Sequence, residues 1–174
     1  MSLLKAFSDK MVFAKKHGHS GLFTMHDLSL MLNVKLDANF RNRISRACKS
    51  GVLERVANGI YVSPYALPDS TGVLEKLAML LRWDHFNYIS LESELSYQGI
   101  ISQTMFNYLT VMTTGRSATF ETMYGTIEFV HTKKNLDNIH DSLYYDHGNG
   151  MFRANRKRAT SDLRKVGRNL DMIN

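Results

Sequence analysis

Four side chains in one short stretch, Asn39, Asn42, Arg43 and Arg46, have the chemistry needed to read base pairs. Arginine presents a two-pronged donor that matches the O6 and N7 acceptors of guanine, and asparagine pairs both ways with the N6 and N7 edge of adenine. In a helix, at about 100° per residue, the four form one stripe, while Phe40, Ile44, Ala47 and Cys48 fall on the other side. Such a helix can rest on a core and present the stripe to a groove. Around it stand Lys35, Arg41, Lys49 and Arg55, suited to phosphate contacts that position a protein without reading sequence. Asn58, close to Arg55 in the chain, is placed for a phosphate or the minor groove.

The elements that must position these groups are written on either side of them. Thr24 can cap a helix that carries Asp27 in its first turn and runs to about Leu32, with Leu28, Met31 and Leu32 at helical spacing. Asn33 and the following Val34-Lys35-Leu36 break that pattern before Asp37 caps the next helix. A connection this short packs the two helices at a steep angle. Gly51 is placed to end the second helix in the left-handed conformation. Leu53-Glu54-Arg55-Val56 and Ile60-Tyr61-Val62 then flank Ala57-Asn58-Gly59, and Asn-Gly is a strong signal for a tight hairpin. Ahead of the pair, Leu4, Phe7, Met11 and Ala14 mark a first helix that Gly18 stops. Helix, helix, turn, helix and hairpin in this order outline a winged helix-turn-helix over residues 1–63.

Charge follows the same division. Residues 1–60 hold ten Lys/Arg against four Asp/Glu, a net of +6, whereas residues 61–152 hold five against ten, a net of −5. A basic front end suits a phosphate backbone and an acidic middle is repelled by it. Residues 153–174 are basic again, seven Lys/Arg against two Asp/Glu, a net of +5. That block, with Arg153, Arg156, Lys157, Arg158, Arg164, Lys165 and Arg168, reads equally as a second grip on DNA or as a solvated helix. No run approaches the roughly 18 apolar residues of a membrane span, and residues 1–7 do not read as a secretory signal, so the expected compartment is the cytoplasm. Cys48 is the single cysteine, placed on the inward side of its helix as a small hydrophobe.

Enzyme chemistry finds weaker footing. His17 and His19 lack a third ligand at a recognisable spacing, and His26, His85, His131, His140 and His147 form no metal motif. Thr114-Gly115-Arg116-Ser117 has the composition of a phosphate cradle but no accompanying Walker lysine or dinucleotide fingerprint, and a hairpin turn accounts for it. Glu121 and Glu128 near Lys133 and Lys134 match no nuclease spacing, and Ser90 and Ser93 lack a nucleophile elbow. No catalytic residue, metal or cofactor is expected.

Beyond the proline-containing stretch 63–72, read as the boundary, residues 64–174 spell a second domain. Leu74, Leu77, Ala78 and Leu81 mark a helix, Tyr88-Ile89-Ser90 a strand, and Leu91 to about Tyr97 a helix capped by Ser90 and stopped by Gly99. Strands follow over Tyr108 to Thr113, around 118–123 and around 126–132. The alternation of Ile127, Phe129 and His131 with Glu128 and Val130 predicts an antiparallel sheet with helices on one side. The whole is an α+β protein: a winged helix followed by a small mixed α/β domain.

The run Tyr88-Ile89-Ser90-Leu91-Glu92-Ser93-Glu94-Leu95-Ser96-Tyr97-Gln98-Gly99, then Thr113-Thr114-Gly115-Arg116-Ser117, Phe120-Glu121-Thr122 and Gly125-Thr126-Ile127-Glu128-Phe129, resembles the AbiEi antitoxin family of AbiE, or type IV, toxin–antitoxin systems. That family also places a winged helix with a Gly-x-Tyr second wing strand, here Gly59-Ile60-Tyr61, ahead of this domain. The resemblance implies an operon repressor that binds inverted repeats in its own promoter, and inverted repeats call for two copies on DNA. It further implies an antitoxin that counteracts an AbiEii-type nucleotidyltransferase toxin without a stable complex. The sequence departs from the family's C-terminal pattern at Arg156-Lys157, where an acidic residue and Lys are usual. The competing expectation is a protein-interaction module, in which the winged helix serves packing and the acidic domain docks on a basic partner.

Overall fold

The computed structural model describes residues 3–103 and 105–173, and the side chains within them from Lys5 onward. It is an α+β protein made of two compact units, Met1–Val73 and Leu74–Asn174. The proline-containing segment packs with the first: Ala66 is buried in that unit's core, and Asp69 pairs with Lys15 at 2.9 Å. The division therefore falls after Val73.

In the first unit, α1 (Leu3–Lys16), β1 (Phe23–Thr24), α2 (Met25–Leu32), α3 (Ala38–Lys49), β2 (Glu54–Ala57) and β3 (Ile60–Val62) follow one another. Thr24 and Asp27 form a capping box on α2: Thr24 Oγ1 accepts from the Asp27 backbone N–H, and the Asp27 carboxylate accepts from the Thr24 N–H at 2.7 Å. Asn33 ends α2 at φ 52°, in the left-handed region an asparagine tolerates. Asp37 restarts the chain as α3 by accepting from the Phe40 N–H at 2.9 Å. Gly51 turns out of α3 at φ 74°, as its placement after the last apolar position anticipates.

Phe7 and Met11 from α1, Leu28 from α2, Phe40, Ile44 and Ala47 from α3, Leu53 and Tyr61 form one buried core. Leu4, read as part of the α1 stripe, lies outside the described side chains. Burial of Phe40 and of Ile44 contributes about 1.5–3 kcal/mol each, which anchors α3 firmly, and the small Ala47 lets it approach the core closely. The strands form a sheet in the order β1-β3-β2. Within it Phe23 pairs with Tyr61, so the residues just before α2 are tied to the hairpin after α3. A strand as short as β1 carries no periodicity, which is why the sequence showed only its capping threonine.

The second unit opens with α4 (Val73–Leu81) and continues with β4 (Asn87–Ile89), α5 (Leu91–Tyr97), β5 (Tyr108–Thr113), β6 (Ala118–Thr122), β7 (Gly125–His131), α6 (Leu136–Ile139), β8 (Leu143–Asp146), β9 (Met151–Ala154) and α7 (Arg156–Val166). Its sheet runs β6-β7-β5-β4-β9-β8. The sheet is mixed, not antiparallel as the sequence led us to expect: β5 pairs with β7, and β4 with β9, in parallel. Strand β7 inserts between β5 and its hairpin partner β6, and returns the chain in the direction of β5.

Strands β8 and β9 escaped the sequence reading because charged and aromatic residues interrupt their alternation. Coverage differs too. Every residue of β4, and of β5 from Leu109 to Thr113, is buried, so the sheet's centre is covered on both faces and not on one. Helices α5 and α7 pack together over Tyr88, Met112 and Ala154. On the other parity, α4 ends at Leu81 and the guanidinium of the next residue, Arg82, lies over the rings of Phe120 and Phe129.

Candidate nucleic-acid interface

Helix α3 is anchored by a narrow stripe and is otherwise bare. Phe40, Ile44 and Ala47 are buried and Cys48 is half-buried, while Asn39, Arg41, Asn42, Arg43, Arg46 and Lys49 are exposed, as is Lys35 in the connection before it. The division of the helix into an inward apolar stripe and an outward polar one is therefore as its spacing anticipated. Among the described residues none of Lys35, Arg41, Arg43, Arg46 and Lys49 has an ion-pair partner, and Asp37, which caps the helix, accepts from the Phe40 backbone. A row of cations without acids, on a helix free of cover within its unit, is the arrangement a phosphate backbone attracts.

The hairpin beside it is less simple than its sequence. Arg55 and Asn58 are both exposed, but Arg55 folds along the turn, with one guanidinium N–H donating to Asn58 Oδ1 at 2.7 Å and Nε donating to the Ala57 carbonyl at 3.3 Å. The two residues act as one polar group, not as two independent contacts. Gly59, at φ 74°, supplies the turn's left-handed residue, and the register between β2 and β3 slips between Arg55 and Ala57, a bulge that twists the hairpin tip. Burial raises the Cys48 thiol above its ordinary value, with Arg55 opposing weakly, so the thiolate is disfavoured.

His17 and His19 have structural contacts, while His26 is exposed. The His19 ring stacks on Phe23 at 4.2 Å between centroids and accepts the Gly21 N–H at Nδ1, while His17 Nδ1 donates to the Phe13 carbonyl. Among the described residues no group of three or more His, Cys, Asp or Glu is placed to hold a metal ion, and no helix is long and apolar enough to cross a membrane.

The basic C-terminal block separates into two sets that its sequence does not distinguish. Arg153 is buried and pairs with Glu94 and Asp146; Arg168 holds Glu92 and Glu128; Arg158 lies 3.2 Å from Asp162. Arg153 and Arg168 neutralise carboxylates of the acidic middle of the chain, and Arg158 pairs within its own helix. Arg156, Lys157, Arg164 and Lys165 alone remain exposed on α7. Ser90 occupies the cap position of α5, yet its side chain makes no capping bond: its hydroxyl donates to Asp162 beside the Tyr88 hydroxyl, both at 2.9 Å. Glu128, whose spacing from Glu121 and the lysines matches no nuclease, accepts from Arg168 and from the Tyr108 hydroxyl, a structural role. The pairs Arg153–Glu94, Arg168–Glu92 and Arg168–Glu128 left no trace in the spacing of these charges, because their partners lie 40 to 76 residues apart, whereas Arg158 and Asp162 stand one helical turn apart.

No model of a known protein family matches the chain, and no curated protein matches it. Among solved structures it is similar to the crystal structure of the RV2827C protein from Mycobacterium tuberculosis, with a TM-score of 0.60 at 11% identity over 88% of this chain. This chain spans 58% of the length of that protein. The likeness is one of fold.

Proposed function

We propose that the first unit is a winged helix-turn-helix DNA-binding domain and that the protein is a transcriptional repressor of its own operon. The observation that carries this reading is the exposed, unpaired cation and amide face of α3 beside the Arg55–Asn58 hairpin. In this reading α3 enters the major groove with Asn39, Asn42, Arg43 and Arg46 toward base edges. Lys35, Arg41, Lys49 and the wing pair meet phosphates. Inverted-repeat operators place two copies of the chain on DNA. The second unit, from its resemblance to AbiEi proteins, is the antitoxin half, which counteracts a nucleotidyltransferase toxin without catalysis of its own, and the protein acts in the cytoplasm.

A gel-shift titration with the DNA upstream of the gene, at two salt concentrations, tests the repressor reading. Retardation that weakens steeply with salt is expected. No retardation at micromolar protein would favour the protein-interaction module. Co-expression with the neighbouring gene product tests the antitoxin half: growth must be rescued, and failure to rescue sinks it.

A further inference from the structure

A concavity of about 720 Å³ in the second unit is lined by Arg82, His85, Gly115, Arg116, Ser117 and His131. It is built around the turn between β5 and β6, the Thr114-Gly115-Arg116-Ser117 stretch that the DNA-binding reading leaves without a role. We infer that this concavity binds a phosphate group, carried either by a free nucleotide or by the 5′ end of a nucleic acid.

Charge is the first argument. This unit pairs Arg153, Arg158 and Arg168 with carboxylates, yet among the described residues Arg82 and Arg116 have no ion-pair partner. One acid, Asp84, stands at His85 with 3.6 Å between its Oδ1 and the imidazole Nε2, and it is more than half exposed. Two guanidiniums and two imidazoles thus meet in one hollow of a region otherwise rich in acids. Guanidinium suits a phosphate because its planar donors match two oxygens at once.

Preorganisation is the second. The Arg82 guanidinium is clamped 5.6 Å from the Phe120 ring centroid and 5.2 Å from that of Phe129, and donates to the Arg116 carbonyl at 3.2 Å. Its Nε is buried without a hydrogen-bond partner among the described residues, a donor for which the fold supplies no acceptor. The turn is fastened on both sides. His131 Nδ1 donates to the Gly115 carbonyl at 2.8 Å, the His131 backbone N–H donates to Ser117 Oγ at 2.9 Å, and the Thr114 N–H donates to the Phe86 carbonyl at 3.0 Å.

The glycine is the third. Gly115 does not adopt a positive φ, so the turn's conformation does not call for it. A Cβ there would stand 2.8 Å from Cδ2 and 3.0 Å from Nε2 of His85. A side chain there would crowd the imidazole, which lies against the backbone at the wall of the hollow.

The test uses the full chain, followed by calorimetry and by the fluorescence of Trp83, the chain's single tryptophan, next to Arg82. The probes are inorganic phosphate, ATP, adenosine, and a dinucleotide with either a 5′-phosphate or a 5′-hydroxyl, too short to engage a DNA-binding helix. Saturable binding of the phosphate-bearing probes, mutual competition among them, and no binding of adenosine or the 5′-hydroxyl dinucleotide are expected. Arg116→Ala removes an exposed side chain and should weaken binding about tenfold or more with an unchanged melting temperature. Gly115→Ala should weaken it by displacing His85. Binding of ATP over the dinucleotide assigns the phosphate to a free nucleotide, and the reverse order assigns it to a nucleic-acid end. Absence of saturable binding by every phosphate-bearing probe at millimolar concentration overturns the inference, as does an affinity that Arg116→Ala leaves intact.

Discussion

Arg153 donates through Nε to Glu94 Oε2 at 2.8 Å, and the two side chains are 5% and 0% exposed. Glu94 is also an acceptor for the Tyr144 hydroxyl and for Gln98, each at 2.6 Å, and the Arg153 guanidinium stacks 4.0 Å from the Tyr97 ring centroid. Burial works against the charged arginine but Glu94 outweighs it and holds its proton above the ordinary value; burial and the Glu94 carboxylate push the Tyr144 phenol up to about 12. The pair ties α5 to β9, elements far apart in sequence. Removing Glu94 leaves the buried Arg153 with Asp146, at 3.3 Å, as its remaining carboxylate among the described residues, so Glu94→Gln should cost about 3 kcal/mol, the lower end for a broken buried pair, in urea unfolding. Replacing both by apolar residues should cost much less. Equal losses in the single and double variants would show that the charge is not what the site needs.

Acid should loosen the second unit through Glu128. Its burial favours the protonated form, but hydrogen bonds from Arg168 and Tyr108 prevail, and the carboxyl titrates below its ordinary 4.5. The unfolded chain thus takes up this proton at a higher pH than the folded one. The resulting stabilisation is complete above pH 4.5 and is lost as pH falls through the folded value. Unfolding midpoints measured from pH 6 to pH 3 should decline across that window, and Glu128→Gln should flatten this part of the slope.

A second pH response belongs to the first unit. Burial lowers the His19 pKa from 6.5, with Asp27 opposing and Lys15 assisting, and Nδ1 accepts the Gly21 N–H only in the neutral ring. Protonation must break that bond. The unfolded chain protonates first as pH drops, so the contribution is full above 6.5 and is lost below it. Near pH 6, His19→Gln should therefore make the first unit's stability less dependent on pH than in the wild type; an unaltered slope would remove His19 as the cause.

On DNA, Arg43→Ala or Arg46→Ala should cost about 1–3 kcal/mol on the operator and relax selectivity at one base pair. Equal loss on operator and random DNA would reject base reading by that side chain. Arg55→Ala and Asn58→Ala should each weaken all sequences alike. Because one bonds the other at 2.7 Å, the double variant should lose less than the two single losses combined.

The amino-acid sequence by itself determined the local elements whose signals are short-range. The Thr24–Asp27 box, the Asp37 cap, Gly51, the Asn58-Gly59 turn and the alternation of Phe40, Ile44 and Ala47 with exposed polar residues all act within about one or two helical turns. They settle where α2 and α3 start and stop and which side of α3 is inward. The exposure of the nine candidate contact residues was legible for the same reason: an exposed side chain is defined by what its own helix or hairpin leaves uncovered.

Only the tertiary structure decided which charges are free. Arg153 and Arg156 look alike in a basic tail, yet one is buried against Glu94 and the other is exposed. The difference lies in partners brought together by β7 inserting beside β5 and β9 pairing with β4, and such pairings leave no local trace. The Thr114–Ser117 turn shows the same limit. Its residues read as an ordinary hairpin connection until the fold brings Arg82, His85 and His131 around it. Spacing along a chain tells which groups can share a face, and long-range packing determines which of them meet.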